Sequence, residues 1–119
     1  MDLSEFQNLQ LRGGFLLLRI SWINCPIIDA MGRSAVARTT IVGSNLEIEL
    51  GSANLDPEQF SISIYHEVLE AVAVAALHPP EKVCEFNEAG FEAAALECHR
   101  RIGKASAAAI NQMLAEFGF

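Results

Sequence analysis

Positive charge is scarce in this chain of 119 residues: eight Lys and Arg stand against fifteen Asp and Glu, for a net charge of −7. Binding to phosphate backbones needs clustered cations, so a nucleic-acid partner is not expected. The one basic cluster, Arg100-Arg101 with Lys104, reads as the end of a helix, where cations offset the macrodipole. Cysteine is also sparse. Cys25, Cys84 and Cys98 are far apart, odd in number and free of any Cys-x-x-Cys pair, which argues against a cysteine-built zinc site and fits a reducing compartment. Long apolar runs are missing: Phe15 to Leu18 is too short to span a membrane. The opening Met1-Asp2-Leu3-Ser4-Glu5 is acidic where a secretory leader is positive. These features point to a cytoplasmic protein with no membrane partner. Gly13-Gly14 has no P-loop or dinucleotide context. No internal repeat or low-complexity linker interrupts the chain. With 51% hydrophobic and 19% charged residues, residues 1–119 suit one compact domain.

Residues 1–12 are mixed in character and read as a short helix or a loose arm. From Phe15 to Ile23, Leu16, Leu18, Ile20 and Trp22 alternate with Leu17, Arg19 and Ser21, a strand pattern that puts Trp22 in the core. Asn24-Cys25-Pro26 breaks it, and Ile27-Ile28 is a brief extended piece. Ala35 to Val42 is rich in β-formers. Gly43-Ser44-Asn45 then predicts a three-residue hairpin loop into Leu46-Glu47-Ile48-Glu49-Leu50, with the aliphatic residues inward. Asp56, Pro57 and Gln59 open a helix, with Leu55 and Phe60 as its staple. It runs to about Leu77, before His78-Pro79-Pro80. A second helix starts between Pro80 and Asn87 and ends near Gly103; a third covers about Ala105 to Glu116. The fold class is α+β: a small, mostly antiparallel sheet followed by three helices.

The first helix contains His66-Glu67-Val68-Leu69-Glu70. Replacing Glu70 by His would turn this H-E-x-x-E into the zinc-peptidase signature H-E-x-x-H. Residues four apart share a helix face, so His66 and Glu70 can reach one ion, with Glu67 placed to act as general base toward a water there. A bland reading is also open: Ser63, His66, Glu67, Glu70 and Val74 then form the solvent-facing stripe of an amphipathic helix. A third ligand has to come from elsewhere. Glu81, Glu85, Glu88, Glu92 and His99 fall near one stripe of the second helix; such a stripe is either a solvated face or a set of mutually repelling acids that a cation relieves. Glu88, where the second helix begins, is the preferred third ligand and Glu92 the alternative; His78 and His99 are outsiders. Tyr65, preceding His66, points to the core. Cys98-His99 are helix neighbours about 100° apart and cannot form a nucleophile–base pair by themselves.

Strands, then a helix with H-E-x-x-E-A, then a second helix led by Asn87-Glu88-Ala89 resemble the small gluzincin, or zincin-like, metallopeptidase domains, closest to the ImmA/IrrE-like group and its short phage-encoded relatives. The likeness spans roughly residues 35–100. It implies His66 and Glu88 as metal ligands, Glu67 as catalytic acid/base, and a peptide or protein substrate held in extended form on an edge strand, here Leu46–Leu50. Glu70 departs from the family pattern. Two carboxylates and one imidazole nearly neutralise Zn²⁺, weaken it as a Lewis acid and tilt choice toward Mn²⁺ or Fe²⁺. The expected function is a minimal metal-dependent hydrolase, a peptidase attenuated by Glu70. The competing expectation is a non-catalytic interaction or regulatory protein on the same scaffold, with the Ala-rich helices and the tail Phe117-Gly118-Phe119 as a homo-oligomer surface.

Overall fold

The computed structural model describes residues 2–28, 31–52, 56–78, 80 and 87–119. In chain order the elements are β1 (Leu9–Gln10), β2 (Leu16–Trp22), β3 (Ile27–Ile28), β4 (Ser34–Ala35), β5 (Ala37–Val42), β6 (Asn45–Leu50), α1 (Pro57–Ala76), α2 (Glu88–Ile102) and α3 (Ala107–Glu116). The class is α+β, a sheet followed by three helices, as the sequence pattern predicts. Four strands form one sheet in the order β1-β2-β6-β5, and β3 and β4 form a separate ribbon. The sheet is mixed: β1 and β5 are antiparallel to their neighbours, but the central pair β2 and β6 is parallel. β6 is therefore interior. The edge strands are β1 and β5, with β5 the one beside α1, which corrects the assignment of Leu46–Leu50 to the edge.

In the β5–β6 hairpin Val42 pairs with Asn45, so Gly43-Ser44 is a two-residue turn, one shorter than expected. Gly43 has φ 63°, a conformation open to glycine without strain. Alternation along β6 buries Leu46, Ile48 and Leu50 completely. Glu47 and Glu49 face outward, pairing with Arg19 at 3.2 Å and Arg38 at 2.9 Å. β2 breaks the simple alternation. Its register shifts between Leu17 and Arg19, and this bulge changes which side chains face inward. Leu17 and Ile20 are buried, whereas Trp22, expected in the core, is 40% exposed at the end of the strand.

Asp56 caps α1 by accepting from the Glu58 N–H at 2.7 Å, and Pro57 occupies the first turn, where its missing N–H costs nothing. Leu55, the expected staple, lies outside the described residues, as do Glu81, Cys84 and Glu85. α1 packs against β5, β6, α2 and α3, so it is buried on nearly every side. Asn87 caps α2 through the Gly90 N–H, and Ser106 caps α3 through the Ala109 N–H. The amino-terminal residues are no loose arm: Phe6 and Leu11 are buried in the core. The carboxy-terminal tail also turns inward, with Phe117 buried and Phe119 packed against the core. Tyr65 is fully buried, and its hydroxyl donates to the Gly103 carbonyl at 2.7 Å. Among the described residues no helix is long and apolar enough to cross a membrane.

Candidate functional site

The i,i+4 spacing of α1 sets His66 and Glu70 on one face, and α2 runs back along that face. Its first turns bring Glu88 and Glu92 against His66. The imidazole is buried, with Nε2 at 3.1 Å from Glu70 Oε2 and 3.2 Å from Glu88 Oε2. Nδ1 lies 2.7 Å from Glu92 Oε2, and the Phe91 ring stacks on the imidazole with centroids 6.1 Å apart. One donor atom each from His66, Glu70 and Glu88 falls within 4.8 Å of the others, a group able to hold a metal ion. Tetrahedral zinc sites place adjacent ligand atoms roughly 3.3 Å apart, close to the separations around Nε2. The three residues chosen as ligands thus converge.

Glu92, the alternative third ligand, takes a different place: it engages Nδ1 and leaves Nε2 turned toward Glu70 and Glu88. A carboxylate on the far nitrogen fixes the ring's orientation and raises its basicity. Glu67 sits beside this group. Its Oε2 accepts a hydrogen bond from Thr39 Oγ1 at 3.3 Å. Burial raises its pKa to about 7, helped by the charges of Glu70 and Glu88 and opposed by His66 and Thr39. Burial by itself would push the His66 pKa down. Hydrogen bonds to Glu70 and Glu92 and the charges of Glu67 and Glu88 outweigh it and raise the value to about 9. Glu70 is held below the usual carboxylate range by its hydrogen bond to His66, while Glu88 is pushed above it by burial and by Glu70.

These groups line a cleft of about 790 Å³ between α1, the β4–β5 edge and the start of α2. Gln59, Ser63, Glu67 and Glu70 form the helix wall; Ala35, Ala37 and Thr39 form the strand wall. The solvent-facing-stripe reading fails for α1, because Ser63 and His66 are buried. On α2 the acids are open to solvent, with the Glu88 side chain 78% exposed.

The outsiders stay outside. His78 meets the Phe119 ring edge-on. His99 Nδ1 lies 2.9 Å from Ser61 Oγ, which accepts from the Ala105 N–H at 2.8 Å. Cys98 is buried, and burial pushes its thiol up to about 11, the wrong direction for a nucleophile. Two residues that sequence reasoning passed over are Thr39 and Ser61. Thr39 was findable: strand alternation places it on the same face as Ala37 and Ile41, toward α1. Ser61 carried no local signal. No family model, curated protein or solved structure matches this chain.

Proposed function

We propose that the cleft binds a divalent metal ion through His66 Nε2, Glu70 and Glu88 and hydrolyses a peptide or another amide. The observation that carries this reading is the convergence of His66, Glu70 and Glu88 at one point of an open cleft, with Glu67 beside them. The donor set fits such an ion: its spacing suits first-row metals, and Glu92 supplies the outer-shell partner a ligating imidazole needs. A bound ion would polarise the scissile carbonyl and lower the pKa of water. Glu67, with a pKa near 7, accepts the proton of the attacking water and returns it to the leaving amine. Two carboxylates and one imidazole favour Mn²⁺ or Fe²⁺ relative to a histidine-rich site, with Zn²⁺ as the third candidate. The resemblance to ImmA/IrrE-like domains supports the same roles. An extended substrate would add to β5, the edge strand that borders the cleft.

The second reading is an interaction or regulatory protein that keeps the scaffold without the reaction. The hydrogen bonds of His66 to Glu70 and Glu92 favour it, because they satisfy both ring nitrogens with carboxylate partners.

The test is metal content of tag-free protein purified without chelator, beside His66→Ala and Glu70→His. Near-stoichiometric metal that disappears in His66→Ala supports the first reading and makes peptidase assays worthwhile. Zinc held only by Glu70→His indicates a scaffold with a decayed ligand set. No metal in any of the three proteins sinks the hydrolase and leaves the interaction protein.

A further inference from the structure

One side chain of the sheet reaches the proposed acid/base. Thr39 pairs with Ile48, whose side chain is fully buried, so Thr39 points the same way, toward α1. On the opposite face the neighbouring Arg38 donates to Glu49 at 2.9 Å. Those two contacts lock the β5 register from both sides; a slip of one residue would present Arg38 or Thr40 to the helix instead. The sheet thus delivers a hydroxyl to Glu67 Oε2 at 3.3 Å. Glu67 has three side-chain torsions and is flanked by the competing charge of His66. A carboxylate so placed needs a partner to stay in one rotamer, and the Thr39 hydroxyl, at the long end of hydrogen-bonding distance, is a partner the sheet supplies.

We propose that Thr39 is a positioning residue for Glu67: its hydroxyl holds one carboxylate oxygen against the edge strand and leaves the other turned toward the reacting centre. The proposal rests on the hydrolytic reading of the cleft. It assigns Thr39 no part in metal binding, because the convergent donors are His66, Glu70 and Glu88.

Acetohydroxamate tests it without a known substrate, since the hydroxamate binds a metal ion while hydrogen-bonding to a carboxylate beside it. Zinc affinity and acetohydroxamate affinity of the zinc-loaded protein are measured by calorimetry for the parent, Thr39→Val and Thr39→Ser. Zinc binding stays the same in all three. Acetohydroxamate binding weakens on the order of tenfold in Thr39→Val, the usual scale for losing an outer-shell hydrogen bond, and Thr39→Ser restores it. Equal acetohydroxamate affinity in Thr39→Val and the parent overturns the role of Thr39 and leaves the metal site intact. A Thr39→Ser variant as weak as Thr39→Val also overturns it, because methyl packing rather than the hydroxyl is then at work. A parent that binds zinc but not acetohydroxamate sinks the hydrolytic reading together with the role of Thr39. A parent that binds neither Zn²⁺ nor Mn²⁺ nor Fe²⁺ sinks the metal reading before any Thr39 variant is made.

Discussion

His66 sits in its own cage of acids: both ring nitrogens have carboxylate partners, Glu92 on one side and Glu70 with Glu88 on the other. In the metal-free protein the imidazole is therefore cationic well above neutral pH, with a folded pKa of about 9 against 6.5 unfolded. A raised pKa means that the folded state holds the proton more tightly. The stabilisation is complete below about pH 6.5 and is lost as pH rises through about 9. The full shift corresponds to about 3 kcal/mol. Glu67, raised to about 7, adds a loss of the same sign at lower pH. Urea midpoints of metal-free protein at pH 6.5 and pH 9 should fall accordingly, and His66→Gln should flatten the decline. A midpoint that rises over this range would show that His66 is neutral. Because an ion on Nε2 must displace its proton, metal affinity should rise with pH over the same window, as titration of the parent with Zn²⁺ or Mn²⁺ would show.

Each end of α1 carries a separate prediction. Leu77, the residue that closes it, has φ 54° and is 91% exposed. A leucine in the left-handed region is strained and here loses nothing by truncation, so Leu77→Gly should stabilise the protein by about 0.5–1 kcal/mol. Chemical denaturation checks this. Near the other end, Ser61 and Tyr65 lie one turn apart and grip the α2–α3 connection, Ser61 through the Ala105 N–H and Tyr65 through the Gly103 carbonyl. Ser61→Ala leaves a buried N–H unpaired and should cost about 1–3 kcal/mol in the same assay; an unchanged midpoint would mean the connection is held by packing alone.

The elements also show where the sequence was readable. The start of α1 and the end of α2 were legible because Asp56 and Gly103 are strong local signals, whereas the start of α2 was bracketed only between Pro80 and Asn87 and its cap, Asn87, emerged from the structure. The inward row of β6 was legible because alternation survives in an unbroken strand. Trp22 was misread because a bulge is a tertiary event: nothing in Leu16-Leu17-Leu18 marks where the ladder gains a residue. The edge position of β5 was missed for a related reason, since strand order depends on β2 returning to β6 from a distance. At the site, His66, Glu67 and Glu70 were visible from helical spacing, and Glu88 from its place at the head of α2. The division of labour between Glu88 and Glu92 was not, because it depends on which ring nitrogen each carboxylate meets.

For the whole molecule, the donor set bridges two helices, two ligands on α1 and one on α2. A bound ion would therefore act as a clamp. At a concentration a hundredfold above its dissociation constant it should add about 2.7 kcal/mol of stability. Calorimetric unfolding should show a metal-dependent rise in melting temperature for the parent and a smaller one for Glu88→Gln. The same rise in both would place the ion away from α2.

The parallel centre of the sheet has a consequence for how the chain reaches this form. The β5–β6 hairpin and the α1–α2 pair are each made from neighbouring stretches, whereas Leu17 must find Leu46 across the β3–β4 ribbon and all of β5. Joining distant stretches demands loop closure before any contact compensates. The amino-terminal strands should then dock last, onto a β6 edge that stands open until they arrive. Leu17→Ala should accelerate unfolding more than it slows folding. A chain cut after β2, at Trp22, should pair through that open β6 edge with its own copies, making the amino-terminal strands a guard against aggregation as well as a part of the core.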